Sequence, residues 1–276
     1  MESNKSILII GKPESAKTTF LAQFIILARK DKSKVKFWKT PENIQPIEDA
    51  IKRLRGANET QATPAESNEV ILLPIKIAKE NISLNCPDYG GEQINEILNL
   101  RTFNPQWQSL IKNSSSWIFF IRPKQVEALF DLSNKSYKAN IEESKKSTEQ
   151  VFKVSEQSNL IELLQMMLYV KKCSFQKEIT NPKLTIALTC WDEVDEVIAP
   201  NNLLAKLLPL LNQFIHTNWH KDAVNVIGIS AQGFELKSQA NKDKYLDDGS
   251  TKFAYVVKNN TTDKVYDITE LIVESL

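Results

Sequence analysis

The chain has 276 residues, 42% of them hydrophobic, with 35 basic side chains against 34 acidic ones. That length allows one large domain or two small ones, and the near-cancelled charge excludes a global field favouring nucleic acid or an anionic membrane surface. Three scattered cysteines (Cys86, Cys173, Cys190) fit neither a disulfide scaffold nor a metal knuckle and suit a reducing cytoplasm, and the longest apolar runs are far below membrane-spanning length.

The first predicted strand is Ser6–Ile10, which leaves no room in front of it for a signal peptide. It stops at Gly11, and the run Gly11-Lys-Pro-Glu-Ser-Ala-Lys-Thr18 leads into a helix over Lys17–Lys30 with Phe20, Leu21, Phe24, Ile25 and Ala28 at buried-stripe spacing. Strand, G-x-x-x-x-A-K-T and helix is the arrangement of a phosphate-binding loop with one departure, Ala16 where the pattern has glycine. The physics behind the pattern is local. Backbone N–H groups of residues 13–19 (Pro13, which has none, excepted) wrap an anion at a helix N-terminus, Lys17 reaches the terminal phosphates, and the Thr18 hydroxyl suits Mg²⁺. If the loop needs a left-handed residue at position 16, alanine costs roughly 1–2 kcal/mol there. Glu14 brings a carboxylate to an anion site and is expected to point outward, towards Lys12.

Residues 30–36 read as a charged turn, and residues 37–68 as an insertion with a helix at Ile44–Leu54 and a long polar tail carrying Thr60 and Thr63. Glu69–Ile77 and Ile82–Cys86 form a predicted hairpin, with Pro74 marking an edge. It ends at Pro87-Asp-Tyr-Gly-Gly-Glu-Gln93, where an Asp-x-x-Gly turn could hold Mg²⁺ through water and offer a backbone N–H to a terminal phosphate. Gln93–Leu110 reads as helix broken near Pro105, Ser116–Ile121 as a fully buried parallel strand, and 133–156 as a polar surface insertion. Helices are expected at Leu160–Val170, Leu203–Ile215 and Asp267–Leu276, and strands at Lys183–Cys190, Ala223–Ile229 and, as an edge, Phe253–Val257. Glu235–Gly249 is polar with no element assigned. His216 and His220 stand four apart but lack companion ligands, so they read as surface or capping residues. No repeat or linker divides the chain. The fold class is α/β, a mostly parallel sheet with helices on both faces and one antiparallel edge hairpin, in a single domain over 1–276.

Four loops then stand at the carboxyl ends of predicted sheet strands, the edge where doubly wound sheets bind ligands. In order they are Gly-x4-Ala-Lys-Thr, Asp-x-x-Gly, Thr189-Cys-Trp-Asp192 and Ser230-Ala-Gln232. The set resembles the P-loop GTPases of the translation-factor and Ras-like class across almost the whole chain. A narrower likeness, carried by Leu8-Ile-Ile-Gly-Lys-Pro-Glu-Ser, Ile229-Ser-Ala-Gln-Gly-Phe and the tail around Tyr255-Val-Val and Asp267-Ile-Thr, is to bacterial double-GTPase-type domains, a family tied to prokaryotic conflict systems. The resemblance implies GTP or GDP with Mg²⁺ as ligands. It implies Gly11, Pro13, Glu14, Ser15, Ala16, Lys17, Thr18, Thr19 and Gly91 around the phosphates, and Thr189, Asp192, Ser230, Ala231 and Gln232 around the base. It assigns the metal to Thr18, to Asp88 through water and to Thr63, or else Thr60, with Lys17, Glu92 and Thr63 in catalytic roles. Asp192 would accept from guanine. The family's usual lysine is here Cys190, which leaves adenine open.

Glu92 stands where many family members orient the attacking water with glutamine. A carboxylate beside a triphosphate is repelled and cannot donate unless protonated, so slow hydrolysis, or a partner supplying the missing group, is expected. The reading that results is a cytoplasmic GTP-dependent switch acting on a protein effector or activator, without nucleic-acid binding or direct membrane insertion. Two other readings fit the same residues: a nucleotide-locked interaction module without useful hydrolysis, and an ATPase.

Overall fold

The computed structural model describes residues 5–31, 33–41, 43–60, 70–87, 92–126, 154–174 and 176–276. Its spine is a nine-stranded sheet in the order β2-β3-β4-β1-β5-β6-β7-β8-β9. The strands are β1 (Lys5–Gly11), β2 (Val35–Phe37), β3 (Ile71–Ile77), β4 (Glu80–Cys86), β5 (Ser116–Ile121), β6 (Lys183–Thr189), β7 (Val224–Ser230), β8 (Tyr255–Lys258) and β9 (Lys264–Val265). β4, β1, β5, β6 and β7 run parallel. Of these, β1, β5, β6 and β7 are the apolar-rich runs of the sequence, as strands covered on both faces must be, whereas β4 alternates.

Alternation along the central strands divides the core. Ile7 and Ile9 face α1 (Lys17–Ala28), α2 (Gln45–Arg55) and the short C-terminal α9 (Glu270–Glu274). Leu8 and Ile10 face α3 (Glu92–Leu100), α4 (Pro105–Asn113), α5 (Glu156–Lys171), α6 (Pro200–Leu207) and α7 (Pro209–Asn218). Phe20 and Phe24 of α1 are fully buried, and removing either ring would cost roughly 3–5 kcal/mol.

The registers set the functional edge. Gly11 pairs with Phe120, Ile121 with Leu188, and Thr189 with Ile229, so the segments after β1, β5, β6 and β7 emerge side by side. Gly11 is required by close approach. A Cβ there would sit 2.6 Å from Ser15 Oγ and 2.9 Å from Phe120 Cβ.

Several expectations are corrected. The hairpin β3–β4 is present, but β3 is not the edge, because β2 from the charged run pairs with it. Pro74 is tolerated since β2 ends beside it: Trp38 N donates to Pro74 O at 3.2 Å, and no return bond is needed. The opposite margin is also antiparallel, with β9 outside β8, so Phe253–Val257 is not the edge either. The expected helix Leu203–Ile215 is two helices. Leu208 leaves helical geometry (φ −131°) because Pro209 opens α7. The polar stretch 235–249 contains a helix, α8 (Gln239–Asp248), started by the Ser238 hydroxyl accepting from Asn241 N. His220 Nδ1 accepts from Asp222 N and His216 lies on Asn212 O, so the pair is a cap and a surface residue. The 133–156 insertion lies outside the described residues except at its end, where Ser155 caps α5.

Candidate functional site

A cavity of about 510 Å³ opens at the carboxyl edge of the sheet, within the size range of small-molecule sites. One wall is the loop after β1. Ala16 is the N-cap of α1 at φ 64°, ψ 20°, the left-handed geometry that alanine pays for, and Glu14 is also left-handed at φ 60°. Lys17 is 2% exposed and its ammonium is gathered inside the loop, donating to Gly11 O at 2.6 Å and Lys12 O at 2.9 Å. Ser15 Oγ donates to Lys12 O at 2.7 Å. The loop is thus curled around a buried cation at a helix N-terminus, a concentration of positive potential with Pro13, Thr18 and Thr19 on the same wall.

Two neighbours fasten this loop. Lys12 pairs with Glu156 of α5 at 2.7 Å, and Glu14, exposed as expected, accepts from Gln125 Nε2 at 2.7 Å. The expected Glu14–Lys12 pairing is therefore corrected: each side chain pairs instead with a residue outside the loop. Thr60 is on the cavity wall too, with its hydroxyl 2.6 Å from that of Thr19, on the first residues of the polar tail.

The other end of the cavity is built by the segments after β6 and β7. Asp192 sits in a short 3₁₀ turn, 191–193, seated by Trp191, whose indole packs on Gly228 of β7 so closely that a Cβ there would lie 2.4 Å from the ring. Ser230, fully buried, donates from Oγ to Asp192 Oδ1 and accepts from Gly233 N at 2.7 Å. One hydroxyl thus fixes both the carboxylate and the Ser-Ala-Gln-Gly turn, which needs glycine at Gly233 (φ +92°). Thr189, Ala231 and Gln232 line the same end. Cys190 occupies a left-handed position (φ 49°), and burial pushes its thiol up to about 12, so it is neutral at any physiological pH.

Sequence reasoning missed five charged lining residues, Glu59, Arg122, Glu193, Glu235 and Lys237. Arg122 immediately follows β5 and grips Glu193 with both donors, at 3.0 and 2.5 Å. Glu235 and Lys237 follow the Ser-Ala-Gln turn, and Glu59 adjoins Thr60. A charge directly after a buried parallel strand is the signal that could have found Arg122; Lys237 has no local signature. Thr63, Asp88 and Gly91 lie outside the described residues, and for Glu92 only its place at the start of α3 is described. The structure brings together every other expected site residue, with Gly11 and Ser230 just behind the wall. Among the described residues no cluster of three metal-ligating side chains occurs, and no helix is long and apolar enough to cross a membrane.

The family model described as double-GTPase 1 matches residues 8–275. No curated protein matches the chain. Similar solved structures include the Arl6 BBS3 small GTPase of Trypanosoma brucei with bound GppNp, at 11% identity and TM-score 0.40, over 91% of this chain and 99% of that one. The Saccharomyces cerevisiae Ski7 GTPase-like domain, bound to GDP and inorganic phosphate, has 13% identity and TM-score 0.41 over 83% of this chain. A bacterial selenocysteine-specific elongation factor has 14% identity and TM-score 0.37 over 90%. The matched regions span 43% of the Ski7 chain and 29% of the elongation factor.

Proposed function

Because the chain belongs to the double-GTPase 1 family, we propose that its cavity takes a guanine nucleotide, with the polyphosphate at Lys17 and the base at Asp192. The observation that carries this reading is the pairing of ends. A buried lysine at a helix N-terminus and a carboxylate oriented by Ser230 face one cavity of nucleotide size. Phosphate oxygens would replace the Gly11 and Lys12 carbonyls as acceptors of the Lys17 ammonium, a charge-assisted exchange. The fixed carboxylate of Asp192 suits a ligand edge that offers two N–H donors, as guanine does, and disfavours one that offers none.

The Thr18 hydroxyl, beside Lys17 on the cavity wall, fits a Mg²⁺ ligand, and a bound Mg²⁺ would neutralise charge on the terminal phosphates. Thr63 and Asp88 are its proposed companions. Hydrolysis is proposed to be slow, since Glu92 is a poor donor to water beside a triphosphate. The proposed output is a partner surface around residues 40–66 and 89–105 that changes with the bound nucleotide; a prokaryotic conflict system is the setting that the family likeness suggests.

The test is the nucleotide retained through gentle purification, followed by titration of GDP and ADP with Mg²⁺ into wild type, Lys17→Ala and Asp192→Asn. Guanine nucleotide in the preparation and weaker binding in both variants is the expected result. A wild-type protein that takes up neither nucleotide at millimolar concentration removes the proposal.

A further inference from the structure

The base end of the cavity is crowded with carboxylates. Asp192 and Glu193, after β6, and Glu235, after β7, line it. Position 190, at the same end, carries a neutral thiol, and the Arg122 guanidinium is committed to Glu193 through two hydrogen bonds. Lys237 differs from both. Its side chain is 69% exposed at the rim, and its ammonium rests on Glu235 at 2.9 Å, an exposed pair whose net worth is small.

The backbone that carries Lys237 is, in contrast, anchored. Leu236 is 2% exposed and packs with Ala57 and Tyr245, and Phe234 and Phe253 close the same cluster. Asn241 Nδ2 donates to Glu235 O at 2.8 Å, and Gln232 Nε2 to Phe234 O at 2.8 Å. A long, weakly held cation therefore swings from a fixed Cα at the mouth of the site. Because Ala57 shares the cluster, the same anchor also holds the start of the polar tail, whose Glu59 and Thr60 line the cavity.

We propose that Lys237 leaves Glu235 when nucleotide binds and lays its ammonium over the face of the base, making it a binding residue of the site. The inference rests on the nucleotide reading above. A cation over an aromatic face, partly desolvated, is worth enough to change Kd by about 3- to 30-fold. The attraction is to a π face, so it requires a base and does not choose between guanine and adenine. Selectivity stays with Asp192.

The experiment measures Kd with Mg²⁺ for GDP, and for ribose 5-diphosphate as a ligand without a base, in wild type, Lys237→Met and Lys237→Arg, with melting curves on each. Expected is a 3- to 30-fold loss for GDP in Lys237→Met, retained affinity in Lys237→Arg, no change for ribose 5-diphosphate, and unchanged melting. Glu235→Gln, which releases the amine, should tighten GDP by a few fold. A change under twofold for GDP in Lys237→Met overturns the inference. So does an equal loss for the ligand without a base, which would make Lys237 a phosphate-steering charge. If wild type does not bind GDP, the nucleotide reading fails first; if it does and Lys237→Met matches it, only this inference fails.

Discussion

Ala16→Gly is the substitution that most directly weighs the strain in the phosphate loop. Ala16 holds φ 64°, ψ 20° as the N-cap of α1. A Cβ in that conformation costs roughly 1–2 kcal/mol, and glycine removes the cost. Glycine also enlarges the unfolded ensemble, a loss of about 0.4–1 kcal/mol. The difference is a stabilisation near 0.5–1 kcal/mol. With an unfolding entropy of about 2.1 cal/mol/K per residue, 276 residues give about 0.6 kcal/mol/K, so Tm should rise about 1–2 °C. Ala205→Gly is the matched control. Ala205 is exposed on α6, where the same change costs about 1 kcal/mol with no strain to relieve, and its Tm should fall by a similar amount. Differential scanning calorimetry of both variants, with and without GDP, reads the contrast. If Ala16→Gly melts below wild type, as Ala205→Gly does, the left-handed assignment at position 16 and the reasoning built on it are wrong.

Ser230→Ala removes the donor to a carboxylate and should lower GDP affinity about 10- to 100-fold, as measured by calorimetric titration, since hydrogen bonds to charged groups are worth about 1.5–3 kcal/mol. Gly228→Ala forces a methyl into the Trp191 indole and should lower Tm by a few degrees, for an overpacking cost of about 1–3 kcal/mol, while weakening GDP through the displaced Asp192; wild-type affinity would mean that Trp191 does not seat the loop. Cys190 gives a pH signature. Its folded thiol is raised to about 12 from an ordinary value near 9, so the unfolded chain loses that proton first, and stability is full below about pH 9 and falls towards pH 12 by at most about 1.4 kcal/mol per pH unit. Cys190→Ala should flatten that decline in urea titrations between pH 8.5 and 10.5, and wild-type Cys190 should resist iodoacetamide at pH 8 in the folded state.

What could be read from the sequence was what short-range chemistry determines. β1, β5, β6 and β7 are apolar on both faces, and the loops that follow them carry glycine, lysine and carboxylates at motif spacing, so the sheet and both ends of the cavity were legible. α8 was not, because Tyr245 is its buried residue and its remaining positions look like loop. β2 is three residues inside a charged run, and it forms because β3 offers an edge to it. Arg122, Glu193 and Lys237 belong to the site only through proximity that the registers of three different strands create, and no local pattern announces that.

The distribution of backbone strain draws these elements together. The chain has only seven glycines, yet positive φ occurs at Glu14, Ala16, Ala57, Cys190 and other non-glycine residues. Isolated left-handed residues cost of order 1 kcal/mol or more each and persist where surrounding contacts over-determine them. Three of them line the cavity, and each is held from outside: Glu14 by Gln125, Ala16 by the Lys17 hydrogen bonds to Gly11 and Lys12, and Cys190 between the buried Trp191 and the end of β6. Ala57, a fourth, is pinned in the cluster beneath Lys237. Gln125 and Arg122, three residues apart after β5, reach the phosphate loop and the base loop respectively. The strain is therefore carried by the cavity's own frame, and the two walls are tied through one short segment before any ligand arrives. A frame ordered in this way would leave little ordering cost to the ligand.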